Sequence, residues 1–228
     1  MLSPPTIRTV ATVAIELGAV AVVLRQCRKP SRGLGRVFLW LMNRSHASVT
    51  AWGLAHVTIA PDATVLDVGC GGGRTVAALA RVASRGRVVG VDHSAESAAI
   101  ARHTNAAAIA QGRVAIGQAS VSRLPFPDAT FDLVTAVETH YYWPDLAADV
   151  REVARVLRPR GHVVLIAETY RGRPFDLPFR ISMALLRARY LTAPAHRALL
   201  AENGFVDVTV FTEPAKGWLC AVGRRPAA

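Results

Sequence analysis

The chain has 228 residues, 51% of them hydrophobic and 19% charged, with three cysteines. That is enough apolar material for one α/β domain with a sizeable core, and it excludes a chain disordered over most of its length. The net charge is +11, but Lys29 and Lys216 are the only lysines among 27 basic residues. Arginine scattered through an Ala- and Val-rich chain reads as the mark of a GC-rich genome more readily than as a nucleic-acid surface.

Thr9 to Leu24 is apolar apart from Glu16. It is shorter than the roughly 20 residues that span a bilayer, and a charge near its middle disfavours spanning. No small-residue cleavage site follows, so a secretory signal is not expected. Arg25, Arg28, Lys29, Arg32 and Arg36 come next. An apolar segment followed by a basic cluster can pack on the domain or lie on an anionic leaflet. Pro30 to Gly35 then breaks the chain. The expected organisation is an apolar and basic helical extension over residues 1–36, with peripheral membrane contact assigned to residues 9–36, and one domain over residues 37–228. Cys27, Cys70 and Cys220 show neither paired nor metal-binding spacing. They read as free thiols in a reducing cytoplasm, and no metal is expected.

Helices are expected over residues 36–42 and 45–57, followed by a turn at Pro61-Asp62. Strands and helices then alternate. Val65 to Val68 reads as a buried strand, Arg74 to Ser84 as a helix and Arg87 to Asp92 as a second strand. Ser94 caps the next helix, with Glu96 in its first turn suiting the helix dipole. Val114 to Ala119 and Phe131 to Val137 follow as strands. Leu146 to Leu157 is a helix ending before Pro159 and Gly161, and His162 to Ala167 is the fifth strand. Thr192 caps a helix with Pro194 in its first turn, and Gly204 stops it. Val206 to Thr212 and Trp218 to Val222 then form a terminal hairpin. The alternation predicts a mostly parallel seven-stranded α/β sheet with helices on both faces and a C-terminal antiparallel β-hairpin.

Gly69, Gly71 and Gly73 follow the first strand and open a helix. Without a Cβ they let the backbone turn sharply and approach a ligand, while the helix N-terminus offers free N–H groups. Asp92 ends the next strand, where a carboxylate can accept hydrogen bonds from both ribose hydroxyls of a nucleoside. A nicotinamide-dependent oxidoreductase is the rival reading. Two features oppose it. The third glycine of the dinucleotide fingerprint is not at its usual place. Asp67 also stands two residues before the first glycine, where a carboxylate repels a pyrophosphate but suits an ammonium group.

Asp67-Val68-Gly69-Cys70-Gly71-Gly72-Gly73 resembles motif I of class I S-adenosylmethionine-dependent methyltransferases, and Val91-Asp92 resembles their ribose-binding acid. Leu124-Pro125-Phe126-Pro127-Asp128 with Phe131-Asp132, and Arg155-Val156-Leu157-Arg158-Pro159-Arg160-Gly161, resemble two segments of the small-molecule branch known as the methyltransferase-11 family. Arg160 stands where that family has glycine, and Ser120 where an aspartate usually meets the adenine amino group. The resemblance covers about residues 63–168. It implies a Rossmann-like fold and a site for S-adenosyl-L-methionine made of Asp67, Gly69, Cys70, Gly71, Asp92, His93, Ser120, Val121 and Glu138. It implies methyl transfer to a small molecule and leaves the acceptor open; the apolar content between Tyr170 and Leu191 suggests a lipid-like or aromatic one.

Glu138-Thr139-His140-Tyr141-Tyr142-Trp143 follows the fourth strand, at the end of the sheet where α/β proteins bind ligands. His140 is the candidate general base, with Glu138 to orient it or meet the cofactor. Tyr141, Tyr142 and Trp143 are candidates to pack beside the sulfonium. Two further segments are expected to close the site: residues 42–46 with Val49, Trp52 and Leu54, and the apolar stretch from Tyr170 to Leu191. No Asn/Asp-Pro-Pro-aromatic motif for a flipped base occurs, which points away from nucleic acid. A third reading is a non-catalytic membrane-surface protein that keeps the cofactor fold.

Overall fold

The structure, a computed structural model, describes residues 46–227. The extension expected over residues 1–36, its membrane contact and the helix expected over residues 36–42 lie outside them. The elements are α1 (Ala47–Leu54), β1 (Thr64–Val68), α2 (Arg74–Val82), β2 (Arg87–Asp92), α3 (Ala95–Thr104), α4 (Ala106–Ala110), β3 (Val114–Gln118) and β4 (Phe131–Val137). They continue with α5 (Leu146–Val156), β5 (Leu157–Ala167), α6 (Leu177–Leu185), α7 (Ala193–Glu202), β6 (Val206–Glu213) and β7 (Trp218–Arg224). Among the described residues, no helix is long and apolar enough to cross a membrane.

The strands form one sheet in the order β3-β2-β1-β4-β5-β7-β6. The first five pair in parallel, and β7 pairs antiparallel with both β5 and β6. The expected hairpin is therefore present, with its second strand in the sheet interior. Successive crossovers run outward from β1 through β2 to β3, then return to the other side of β1 at β4. That reversal opens a crevice above the carboxyl ends of β1 and β4, the usual ligand position in such sheets.

The strand sequences explain the burial. β1 and β2 are apolar on both faces because helices cover both. One face packs Leu66, Val134 and Leu165 against Val150 and Val153 of α5. The other packs Val65, Val88 and Val164 against Val76 and Leu79 of α2. The caps follow the sequence reading: Ser94 Oγ accepts from Ser97 N, and Thr192 Oγ1 from Ala195 N. Asp145 does the same for α5 through Ala148 N.

β5 departs from expectation. It begins at Leu157, directly after α5, rather than at His162. Pro159 cannot donate to a ladder, and the pairing with β4 jumps from Leu157–Phe131 to His162–Leu133. The intervening residues form a bulge. Within it, Arg160 adopts φ +66°, the left-handed conformation that glycine takes most readily, in keeping with the glycine of the family pattern it resembles.

The motif residues around this bulge are scaffold. The Arg155 guanidinium donates to Asp128 Oδ1 at 2.7 Å, Glu152 Oε2 at 2.8 Å, Phe126 O at 2.8 Å and Leu124 O at 3.1 Å. It clamps the Leu124–Asp128 loop onto α5. Arg158 pairs with Asp132 at 2.7 Å, and Asp132 accepts from Thr64 N at 2.7 Å. These bonds tie the start of β1 to the bulge in β5.

Candidate functional site

A cavity of about 580 Å³ occupies the crevice, within the roughly 300–1,000 Å³ of small-molecule sites. Asp67, Gly69, Cys70, Gly71, Asp92, His93, Ser120, Val121 and Glu138 all line it. Sequence segments as far apart as the end of β1 and the loop after β3 therefore meet in one place.

The glycine loop is pinned from behind. Gly69 N and Cys70 N both donate to Val91 O of β2, at 2.8 and 3.0 Å. Gly69 has φ +74°, and a Cβ there would lie 2.2 Å from Thr139 Oγ1. The loop thus touches the segment after β4 so closely that only glycine fits. Asp92 ends β2 with both oxygens engaged: Oδ2 accepts from Gly71 N at 3.0 Å and Oδ1 from Ser94 N at 2.8 Å. Each oxygen keeps a further lone pair for a ligand hydroxyl. His93 Nδ1 lies 3.5 Å from the same carboxylate, and Ser120 Oγ accepts from Ser122 N at 3.3 Å.

Asp67 is 2% exposed yet lines the cavity. Thr135 Oγ1 donates to it at 2.6 Å. Burial pushes its carboxyl up to about 7, against that hydrogen bond, and nearby Asp92 adds to the rise. A buried carboxylate that faces a ligand-sized cavity is a fit for an ammonium group.

The rest of the lining, taken together as a second wall, includes His46, Thr50, Leu54, Glu138, Tyr142 and Trp143. Glu138 sits at φ +57°, and strain in a non-glycine residue at the end of a strand is characteristic of ligand sites. It accepts from Tyr141 Oη at 2.7 Å and from the backbone N–H of Glu168. Burial and the Glu168 charge push the Glu138 carboxyl up to about 7. His46 Nε2 faces Glu168 at 3.5 Å. His46, Glu138 and Glu168 each bring one polar atom within 4.8 Å of the others. Burial pulls the His46 imidazole down, but Glu168 and Glu138 outweigh it and hold its pKa above the ordinary 6.5.

His140, the expected base, is elsewhere. It is 0% exposed and does not line the cavity. The short 3-10 turn His140–Tyr142 rotates it inward, where its Nε2 lies 3.0 Å from His196 Nε2 of α7. Burial, reinforced by His196, holds its pKa well below 6.5. An imidazole kept neutral inside the core, outside the cavity lining, serves packing. Glu138 accordingly does not orient it. Of the three aromatics, Tyr141 is buried against Glu138, while Tyr142 and Trp143 reach the cavity. Val49 is core and Trp52 packs on Trp218; from their segment His46 and Leu54 are the wall residues the sequence indicated. No residue from Tyr170 to Leu191 lines the cavity, so that stretch does not cover it as expected. Arg74, Thr75 and Arg81 of α2 line it without having been singled out; nothing in their spacing separates them from an ordinary solvated helix face.

The family model described as "Methyltransferase domain" matches residues 66–165. Methyltransferase GfsG of Streptomyces halstedii is 32% identical over 152 residues, covering 65% of this chain and 54% of that protein. The 27-O-demethylrifamycin SV methyltransferase of Amycolatopsis mediterranei is 37% identical over 101 residues, covering 44% of this chain and 37% of that protein. The chain thus spans about half or less of these relatives. The apo crystal structure of the S-adenosylmethionine-dependent methyltransferase SibL superposes with a TM-score of 0.71 at 24% identity, over 86% of this chain and 60% of that one; at that identity the likeness concerns the fold. Residues 66–165 thus match the methyltransferase-domain family, a likeness that supports a class I methyltransferase with S-adenosylmethionine as its cofactor.

Proposed function

We propose that the chain transfers a methyl group to a hydroxyl of a small, largely apolar molecule, with His46 taking the acceptor's proton. The observation that carries this reading is a single cavity with two unlike walls: the glycine loop with Asp67 and Asp92 on one, and His46 with Glu138, Tyr142 and Trp143 on the other. The relatives point to oxygen, since one is named for an O-demethylated substrate.

When bound, S-adenosylmethionine supplies a methyl group already activated on a sulfonium. The chain's work is binding, alignment and proton transfer. Asp67 accepts from the ammonium, and its ionisation is restored by that pairing. Asp92 holds the ribose hydroxyls, and Gly69, Cys70 and Gly71 let the backbone lie against the ligand. His93 covers the ribose side, while Ser120 and the backbone of Val121 face the adenine. Tyr142 and Trp143, which line the cavity, would pack beside the positive sulfonium. On the acceptor side, the oxygen would bond the methyl carbon as the carbon–sulfur bond breaks to leave the neutral thioether S-adenosylhomocysteine, and the oxygen–hydrogen bond would break. The proton passes to the His46 ring nitrogen not facing Glu168. Glu168 and Glu138 then stabilise the imidazolium.

Isothermal titration with S-adenosylhomocysteine tests the binding half, and absence of heat would overturn it. Labelled cofactor incubated with a metabolite and lipid extract identifies the acceptor. With that acceptor, His46→Asn is expected to lower kcat by roughly 100-fold or more, in the range of a lost general base, while leaving S-adenosylhomocysteine affinity unchanged. An unchanged kcat removes His46 from the chemistry without touching the cofactor reading.

A further inference from the structure

The segment between β5 and α7 is built unlike the rest of the molecule. It is fastened at both ends. Arg171 N donates to Leu191 O at 2.8 Å, and Arg189 N to Tyr141 O at 2.8 Å. Tyr190 Oη lies 2.5 Å from Asp176 Oδ1 and 2.9 Å from Tyr170 O, and its one O–H can donate to either. Between these ties, α6 buries Met183 alone. Leu177, Ile181 and Leu185 are spaced by four, so they form one stripe along the helix, and they are 64%, 55% and 60% exposed. Phe175, just before the helix, is 92% exposed.

Soluble monomers rarely leave such a contiguous apolar stripe in water unless something meets it. The charges beside it indicate what. Arg171, Arg180, Arg187 and Arg189 are exposed, Arg173 is partly buried, and Asp176 is the single acid from residue 171 to 189, giving five arginines against one aspartate. A second copy docking through the same stripe would bring both sets of arginines together. An apolar stripe rimmed by arginines matches an anionic lipid surface, which offers acyl chains below and negative headgroups around. Arginine stems can lie along the acyl boundary with the guanidinium in the headgroup layer. The cavity adds a second consideration: none of these apolar side chains faces it, so the acceptor does not account for them.

We infer that Phe175 and the Leu177–Ile181–Leu185 stripe form a peripheral docking surface for an anionic membrane. This surface belongs to the folded domain and is distinct from the contact assigned to residues 9–36 in the sequence. It also stands independently of the methyl-transfer reading.

Co-sedimentation of the full-length chain with phosphatidylcholine vesicles, with and without phosphatidylglycerol, tests it. The wild type pellets with the phosphatidylglycerol vesicles and less so as salt is raised. Leu177→Ser/Ile181→Ser/Leu185→Ser weakens that binding at least about tenfold, from the apolar area lost. Its melting temperature and S-adenosylhomocysteine binding stay near wild type, which excludes misfolding as the cause. Arg180→Gln/Arg187→Gln weakens binding to phosphatidylglycerol vesicles and leaves the fold intact. Equal pelleting of wild type and the triple variant would overturn the proposal and return any membrane contact to residues 1–45. A dimer that forms without lipid and is lost in the triple variant would overturn it in favour of self-association.

Discussion

The two walls of the cavity are assembled in different ways. Most of the donor wall comes from one continuous run, β1 through the glycine loop and α2 to Asp92, and Ser120 and Val121 join it from the loop after β3. Its backbone hydrogen bonds are internal to that run, Gly69 and Cys70 to Val91 and Gly71 to Asp92. The acceptor wall takes His46 from before α1 and Glu138 from just after β4, and Glu168, just after β5, brings its carboxylate within 4.8 Å of both without lining the cavity. The first wall is a motif, and the second exists only when the sheet is complete. On the proposed function, recognition of the donor is then mostly local, while recognition of the acceptor is dispersed along the chain.

Mutations can break this comparison. The largest effect is expected at Asp92. Asp92→Ala removes two charge-assisted ligand bonds and the anchor of Gly71, so S-adenosylhomocysteine affinity should fall about 100-fold or more. His46→Asn, across the cavity, should change it less than about threefold; if both variants lose affinity alike, the walls are not separable.

Acidity sharpens the same contrast. Burial raises Asp67 to about 7, so the free protein holds a proton there that the unfolded chain has released once pH passes about 4. On its own this site stabilises the free fold less as pH rises from about 4 to about 7. The ammonium-bearing ligand needs the ionised form, so affinity for S-adenosylhomocysteine should increase from pH 6 to pH 8, by about tenfold at most. Titrations of the wild type across that range should slope, and those of Asp67→Asn should be weak and flat.

A third variant separates chemistry from packing. His140→Gln leaves both cavity walls intact but breaks the His140–His196 contact. It should cost about 1–3 kcal/mol in urea or thermal unfolding, with S-adenosylhomocysteine binding unchanged. The smallest effect is expected at the bulge, far from both walls. Arg160→Gly relieves a left-handed residue and should stabilise by up to about 1 kcal/mol after the entropy cost of glycine, measured as a rise in melting temperature with no change in binding.

The donor wall was legible because its signals are consecutive in sequence. A buried strand, three glycines, a helix and an acid at the next strand end can be read without knowing the sheet order. The strand succession also announced the hairpin. The acceptor wall was legible only in part. His46 and Leu54 lay in a segment expected near the site, and Glu138 lay at a strand end, but nothing around Glu168 distinguished it from a surface acid. His140 shows the limit most clearly. Residues after a strand end can face either the cavity or the core, and one 3-10 turn sends His140 and Tyr141 inward while Tyr142 and Trp143 face out. Sequence spacing does not carry that rotation. The apolar content from Tyr170 to Leu191 was likewise visible, but its direction, away from the cavity, depends on how the two ends of the segment are tied.

The position of β7 bears on how the protein is made. It is the last of the described strands in chain order, yet it lies inside the sheet between β5 and β6. As the chain leaves the ribosome, β1 to β5 can pair before residue 218 has been synthesised. Until then β5, with Val163 to Ile166 among its most buried residues, carries an open edge able to pair with another nascent chain. The seal on the core strand arrives only with residues 218–224, so the interval before they emerge is when a slow ribosome, or a chaperone holding that edge, would govern the yield of folded protein.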